Sequence, residues 1–157
     1  MRISARTRYG VRVLTDIAMH RMEEPIPISL LAQRTGISKN FLEKVMLILK
    51  RSNLVIPSRG VRGGYSLARE PADIYLSEVF IALEESEPLL LCINCPSDCP
   101  YRDYCTGHDV LKFLAEAMLS ALASFTLETV AERQAISDKL NFAEGRGGKS
   151  SLEAQEN

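Results

Sequence analysis

No run of this chain is apolar for long enough to cross a bilayer, which takes about 20 consecutive residues. The opening residues, Met1-Arg-Ile-Ser-Ala-Arg, also lack the apolar core of a secretory leader. No membrane association is expected, and the expected location is cytoplasmic. A nucleotide-phosphate glycine loop leading into a βα unit is missing too, since residues 60–64 lie inside a basic hairpin segment. Without a second cofactor motif, a small electron-transfer protein is the weaker reading, and no enzymatic activity is expected. Cysteine is absent from most of the chain: all four thiols lie between Cys92 and Cys105. A disulfide framework is not called for in that compartment or at this size.

What remains is a globular composition with an uneven charge. The 157 residues suit one domain plus an oligomerisation element, and 46% hydrophobic against 25% charged is enough to build a core. The net charge of −1 conceals two halves. Residues 1–70 hold 13 Lys/Arg and 5 Asp/Glu, which leaves 6 basic and 15 acidic residues for the remainder. Only the first half is placed to meet a polyanion.

That half has the pattern of a winged helix-turn-helix. Apolar rows Tyr9/Val13/Ile17 and Val11/Leu14/Ala18 predict a widely buried first helix from about Ser4 to Met22, ended by Pro25 and Pro27. Ser29 is placed to cap a short helix over residues 30–34 that stops at Thr35-Gly36. Ser38 is placed to cap a third helix over residues 39–52, joined by a tight glycine-containing turn. Its inward stripe is Leu42, Val45, Met46 and Leu49, while Ser38, Lys39, Asn40, Glu43 and Lys44 face outward in the first two turns. Base readers belong at that end of a recognition helix; Asn can pair with adenine and Glu can accept from cytosine. Leu47 falls near the polar side. Two short β-type segments then flank Arg59-Gly-Val-Arg-Gly-Gly64, a glycine-rich tip that would carry Arg59, Arg62 and Gly63 to phosphates or a minor groove.

The cysteines are spaced C-x2-C-x3-C-x5-C, with His108 three residues beyond the last. Thiolates select soft metals. A zinc knuckle fits only Cys92/Cys95, and iron–sulfur ligation tolerates irregular spacing better. On spacing alone iron–sulfur, zinc and metal-free redox thiols stay open. Further on, Leu111, Leu114, Met118, Leu122 and Phe125 form a heptad-like stripe too wide for the core of so small a protein, so a partner subunit is the expected cover. The expected organisation is a DNA-binding domain over 1–86, a cysteine loop over 87–108, a dimerisation helix and C-terminal helix over 109–143, and a disordered tail over 144–157. The fold class is mostly α with one small β-hairpin.

Arg8-Tyr9-Gly10, Gly36-Ile37-Ser38 with Leu42-Glu43, and Arg59-Gly60 through Gly63-Gly64-Tyr65-Ser66-Leu67 together resemble the Rrf2 family of bacterial winged-helix transcription regulators. The similarity runs from residue 1 to about 133 and is nearest the cluster-binding, IscR-like members. It implies a homodimer on a pseudo-palindromic DNA operator, with an iron–sulfur cluster held by Cys92, Cys99 and Cys105 and by His108 as fourth ligand. That set favours a 2Fe–2S cluster. Cys95 departs from the family's three-cysteine pattern and is an alternative ligand that would favour 4Fe–4S. Members that complete a 4Fe–4S cluster with a first-helix aspartate have Arg8 at the corresponding position here, and arginine cannot ligate.

Overall fold

The structure is a computed structural model and describes residues 3–60, 63–84 and 105–143. Helix α1 (Ala5–Met19) begins where the Ser4 hydroxyl accepts a hydrogen bond from the Thr7 N–H at 3.1 Å. That acceptor satisfies one of the donors a helix start leaves open. Val13, Leu14 and Ile17 are fully buried, with Tyr9, Val11 and Ala18 packed against them. The helix ends well before the prolines. His20 leaves helical geometry and its N–H turns back to the Asp16 and Ile17 carbonyls. A 3-10 turn, Arg21–Glu23, then tightens the exit.

Helix α2 (Ile28–Thr35) also starts earlier than a Ser29 cap requires: Pro27 holds the cap position, and Ser29 lies inside the first turn. Proline suits that start because it has no N–H to satisfy and its ring fixes φ near the observed −62°. Gly36 ends α2 at φ 70°, a left-handed conformation that costs glycine no Cβ clash. Residues 36–38 then turn the chain into α3 (Lys39–Arg51). Leu42, Val45, Met46 and Leu49 are all sealed from solvent. Ser38 stands at the cap position, but its hydroxyl makes no capping bond. Ser38, Lys39 and Asn40 are exposed, so water can serve the free N–H groups there.

The hairpin is β1 (Val55–Ser58) against β2 (Gly64–Leu67), antiparallel, in the register Val55↔Leu67 to Ser58↔Gly64. Tyr65 and Ile26 exchange both backbone hydrogen bonds at 2.9 Å, fastening the wing to the segment before α2. A Cβ at Gly64 would stand 2.4 Å from the Ile26 carbonyl, so this fastening needs glycine. After a 3-10 turn (Pro71–Asp73), α4 (Leu76–Glu84) packs on α1 and α3.

The long helix α5 (Thr106–Ala123) lies along α4, and α6 (Leu127–Ala143) returns to α1. Their junction is pinned to the start of α4 by Leu76 N–H to Phe125 O at 3.0 Å and Leu127 N–H to Ile74 O at 2.8 Å. Leu127 enters the core fully buried. Among the described residues, no helix is long and apolar enough to cross a membrane.

Candidate nucleic-acid interface and metal-ligand positions

Helix α3 presents Ser38, Lys39, Asn40, Glu43 and Lys44 together on an exposed surface, as its periodicity predicts. Lys39 Nζ lies 4.0 Å from Glu43 Oε1, one turn away, and both side chains are more than half exposed. An exposed pair of this kind contributes under about 1 kcal/mol. The pair places a cation beside the Glu43 carboxylate on this exposed face. Leu47 is exposed on the same helix and stands outside the core cluster. The helix start is held from behind by Phe41, whose ring meets Tyr9 of α1 edge-on with centroids 5.4 Å apart.

Charged groups fix α2 against α1. Arg34 bonds to Glu23, and its Nη1 lies 3.7 Å from Asp16 Oδ2. Burial holds the Asp16 carboxyl above its usual range, opposed in part by His20 and Arg34. At the wing, Arg59 is exposed beside Gly60, whose φ of 110° only glycine adopts freely. A Cβ on Gly63 would stand 2.7 Å from the Ser58 carbonyl oxygen, so the turn closes tightly there. Arg62 lies outside the described residues. Behind the wing, Arg69 donates to Glu78 of α4 at 2.6 Å, and that bond lowers the Glu78 carboxyl from its ordinary range.

Two of the expected metal ligands are described. Cys105 is exposed at the cap position of α5, and His108 follows one turn on, its N–H bonded to the Cys105 carbonyl at 3.0 Å. This i, i+3 spacing puts thiol and imidazole on one side of the helix start. His108 Nδ1 lies 3.6 Å from an Asp109 carboxylate oxygen, the sort of partner that orients a ligating imidazole. A thiolate and an imidazole so placed fit a soft metal centre. Cys92, Cys95 and Cys99 lie outside the described residues.

The α5 stripe divides. Leu111, Met118 and Leu122 are half-buried, while Leu114 is exposed with Val110 and Phe113, at 48%, 67% and 73%. Phe125 is half-buried under Arg133, whose guanidinium lies 5.1 Å from its ring centre. Phe125, Leu122, Leu76 and Val130 border an open apolar groove of about 430 Å³. The sequence reading missed Thr7 and Glu84, both buried and hydrogen-bonded to each other. A contact across 77 positions leaves no periodic signal.

Residues 3–133 match the Rrf2 family, described as an iron-dependent transcriptional regulator. A protein named rrf2 from Nitratidesulfovibrio vulgaris is 39% identical over 127 residues, 81% of this chain and 85% of that one. The HTH-type transcriptional regulator IscR of Xenorhabdus nematophila is 34% identical over 138 residues, 88% and 84% of the two chains. Among solved structures, IscR of T. potens superposes with a TM-score of 0.64 at 28% identity, over 96% of this chain and 94% of its own. CymR, the global cysteine regulator of B. subtilis, gives 0.64 at 27% identity, over 85% and 98%.

Proposed function

The chain belongs to the Rrf2 family of transcriptional regulators, and from that premise we propose that it is a homodimeric repressor whose DNA binding is set by an iron–sulfur cluster in the segment 92–105. The observation that carries the DNA half is α3. Its apolar stripe is sealed while its polar first two turns stand clear beside a glycine-built wing. In that arrangement Asn40 and Glu43 meet base edges in the major groove, Ser38, Lys39 and Lys44 sit within reach of bases or backbone, and Arg59 and Arg62 reach phosphates or the minor groove near Gly63.

Cys92, Cys99, Cys105 and His108 would hold the cluster, with 2Fe–2S favoured and Cys95 the alternative to His108 that would favour 4Fe–4S. When bound, such a centre supplies a reversible change of charge that answers to redox state or iron supply. The dimer reading is supported by α5, an 18-residue apolar helix in which no residue is buried. Two-fold symmetry through such a helix would set two recognition helices on successive half-sites of a pseudo-palindrome.

Anaerobic purification of the full chain tests this. Visible absorbance with matched iron and sulfide is expected, together with an operator affinity that changes when a chelator strips the iron. His108→Ala or Cys95→Ala should alter the spectrum according to which residue ligates. Colourless protein carrying zinc would replace the sensor with a zinc-stapled repressor. Colourless, metal-free protein whose DNA binding follows added oxidant would make it a thiol switch.

A further inference from the structure

Glu84 ends α4 and is only 7% exposed, an uncommon position for a carboxylate. Its Oε1 accepts from the Ser4 N–H at 3.0 Å and from the hydroxyl of the fully buried Thr7. Ser4 and Thr7 form the opening of α1, where free N–H groups and the positive end of the helix dipole favour an anion. One carboxylate oxygen from the end of α4 therefore closes the start of α1.

Two neighbouring contacts make that closure stiff. Gly10 of α1 is so near Leu83 that an added Cβ would stand 2.3 Å from Leu83 Cδ1. Tyr9, beside Gly10, meets Phe41 in the first turn of α3. Two and three residues before Phe41 stand Lys39 and Ser38, at the proposed DNA face. In the other direction, Glu84 is followed directly by the segment that carries Cys92, Cys95 and Cys99. A buried acceptor separated from its donors loses their hydrogen bonds without water to replace them, so Glu84 and the start of α1 are constrained to move together.

We propose that Glu84 is the positioning residue that transmits the state of the cysteine segment to the recognition helix of the same subunit, by way of Ser4, Thr7, Tyr9 and Phe41. This rests on the sensing function proposed above. It predicts that loading and DNA binding can be uncoupled while each survives.

The test uses the full chain, loaded anaerobically or stripped by chelator, and a duplex that the wild type selects from a random-sequence library. Affinities of the two forms are compared by fluorescence anisotropy. The wild type should show a loaded-to-stripped ratio on the order of 5–150-fold in one direction, and Glu84→Ala should bring it to within about twofold. Its iron content and visible spectrum should stay those of wild type. Glu84→Gln keeps the accepting oxygen and should retain most of the ratio. Thr7→Val removes one donor at nearly constant volume and should lower the ratio in folded protein, which decides the matter if Glu84→Ala does not fold. An undiminished ratio in Glu84→Ala, or in Thr7→Val where the alanine variant does not fold, overturns the coupling role. So does loss of the visible spectrum in Glu84→Ala, which would make Glu84 a support of the cluster itself. A wild type with cluster but no ratio fells the sensing function, and the coupling with it, before any variant is read.

Discussion

Helices α3 and α5 both carry apolar residues at helical spacing, yet all four residues of the α3 stripe are sealed and no residue of α5 is. The difference lies in what surrounds each. The stripe of α3 meets α1, α2, α4 and β1, so the head, residues 3–84, builds most of its core from its own residues, with Leu127 of α6 completing it. Among the described residues, α5 lies against α4, and its Val110, Phe113 and Leu114 are exposed. The same pattern therefore means a finished interior in one place and an unfinished surface in the other. Periodicity reports that a face wants burial; it does not say which chain provides the cover.

Core truncation gives the widest separation between the two helices. Leu49→Ala should cost about 2–5 kcal/mol in urea unfolding, whereas Leu114→Ala, at a site already about half in water, should cost under about 1 kcal/mol in dilute monomer. Equal losses would erase the distinction. Charges on the open face should then act on assembly rather than folding. Phe113→Asp combined with Leu114→Asp should yield a monomer by sedimentation and weaken operator binding roughly 100-fold, about 2.7 kcal/mol, through lost bivalency. A double variant that still sediments as a dimer would move the interface off this face.

How much of this was legible in the sequence follows the range of the forces. The α3 stripe, the wing and its glycines were readable because 3.6-residue periodicity and backbone freedom are local properties. Among the candidate DNA contacts, Ser38, Lys39, Asn40, Glu43, Lys44 and Arg59 all reach the surface for the same reason. Helix limits were read less well. Pro25 and Pro27 signal a stop for α1, but His20 already turns the chain, and Pro27 rather than Ser29 occupies the cap of α2. Neither the Glu84–Thr7 bond nor the return of Leu127 to the core was visible, since both depend on elements dozens of residues apart meeting in space.

A smaller effect separates the wing from the core of the head. Arg59 is exposed and bonded to nothing among the described residues, so Arg59→Ala should leave stability unchanged. If Arg59 touches a phosphate, the salt dependence of operator binding should fall by about one unit in slope. An unchanged slope would remove Arg59 from the backbone contacts and leave the proposed DNA surface to α3.

The finest test concerns a flaw inside the finished half. Asp16 Oδ2 and Arg34 Nη1 are enclosed at 3.7 Å without a hydrogen-bond partner, and burial keeps the Asp16 carboxyl above its usual 3.8. A carboxyl raised in the folded state binds protons more readily there than in the unfolded chain. Its contribution to stability is therefore present in full below the unfolded value and is lost as pH rises through the folded one. At neutral pH the ionised Asp16 is a small net cost, so Asp16→Asn should be at least as stable as wild type. On acidification through the carboxylate range, wild type should gain on the variant, because only wild type takes up the proton. Urea midpoints at about pH 7 and about pH 4 measure both arms of this linkage. If the asparagine variant is the weaker at neutral pH and draws level in acid, attraction to Arg34 and His20 outweighs the burial cost, and the head contains no such flaw.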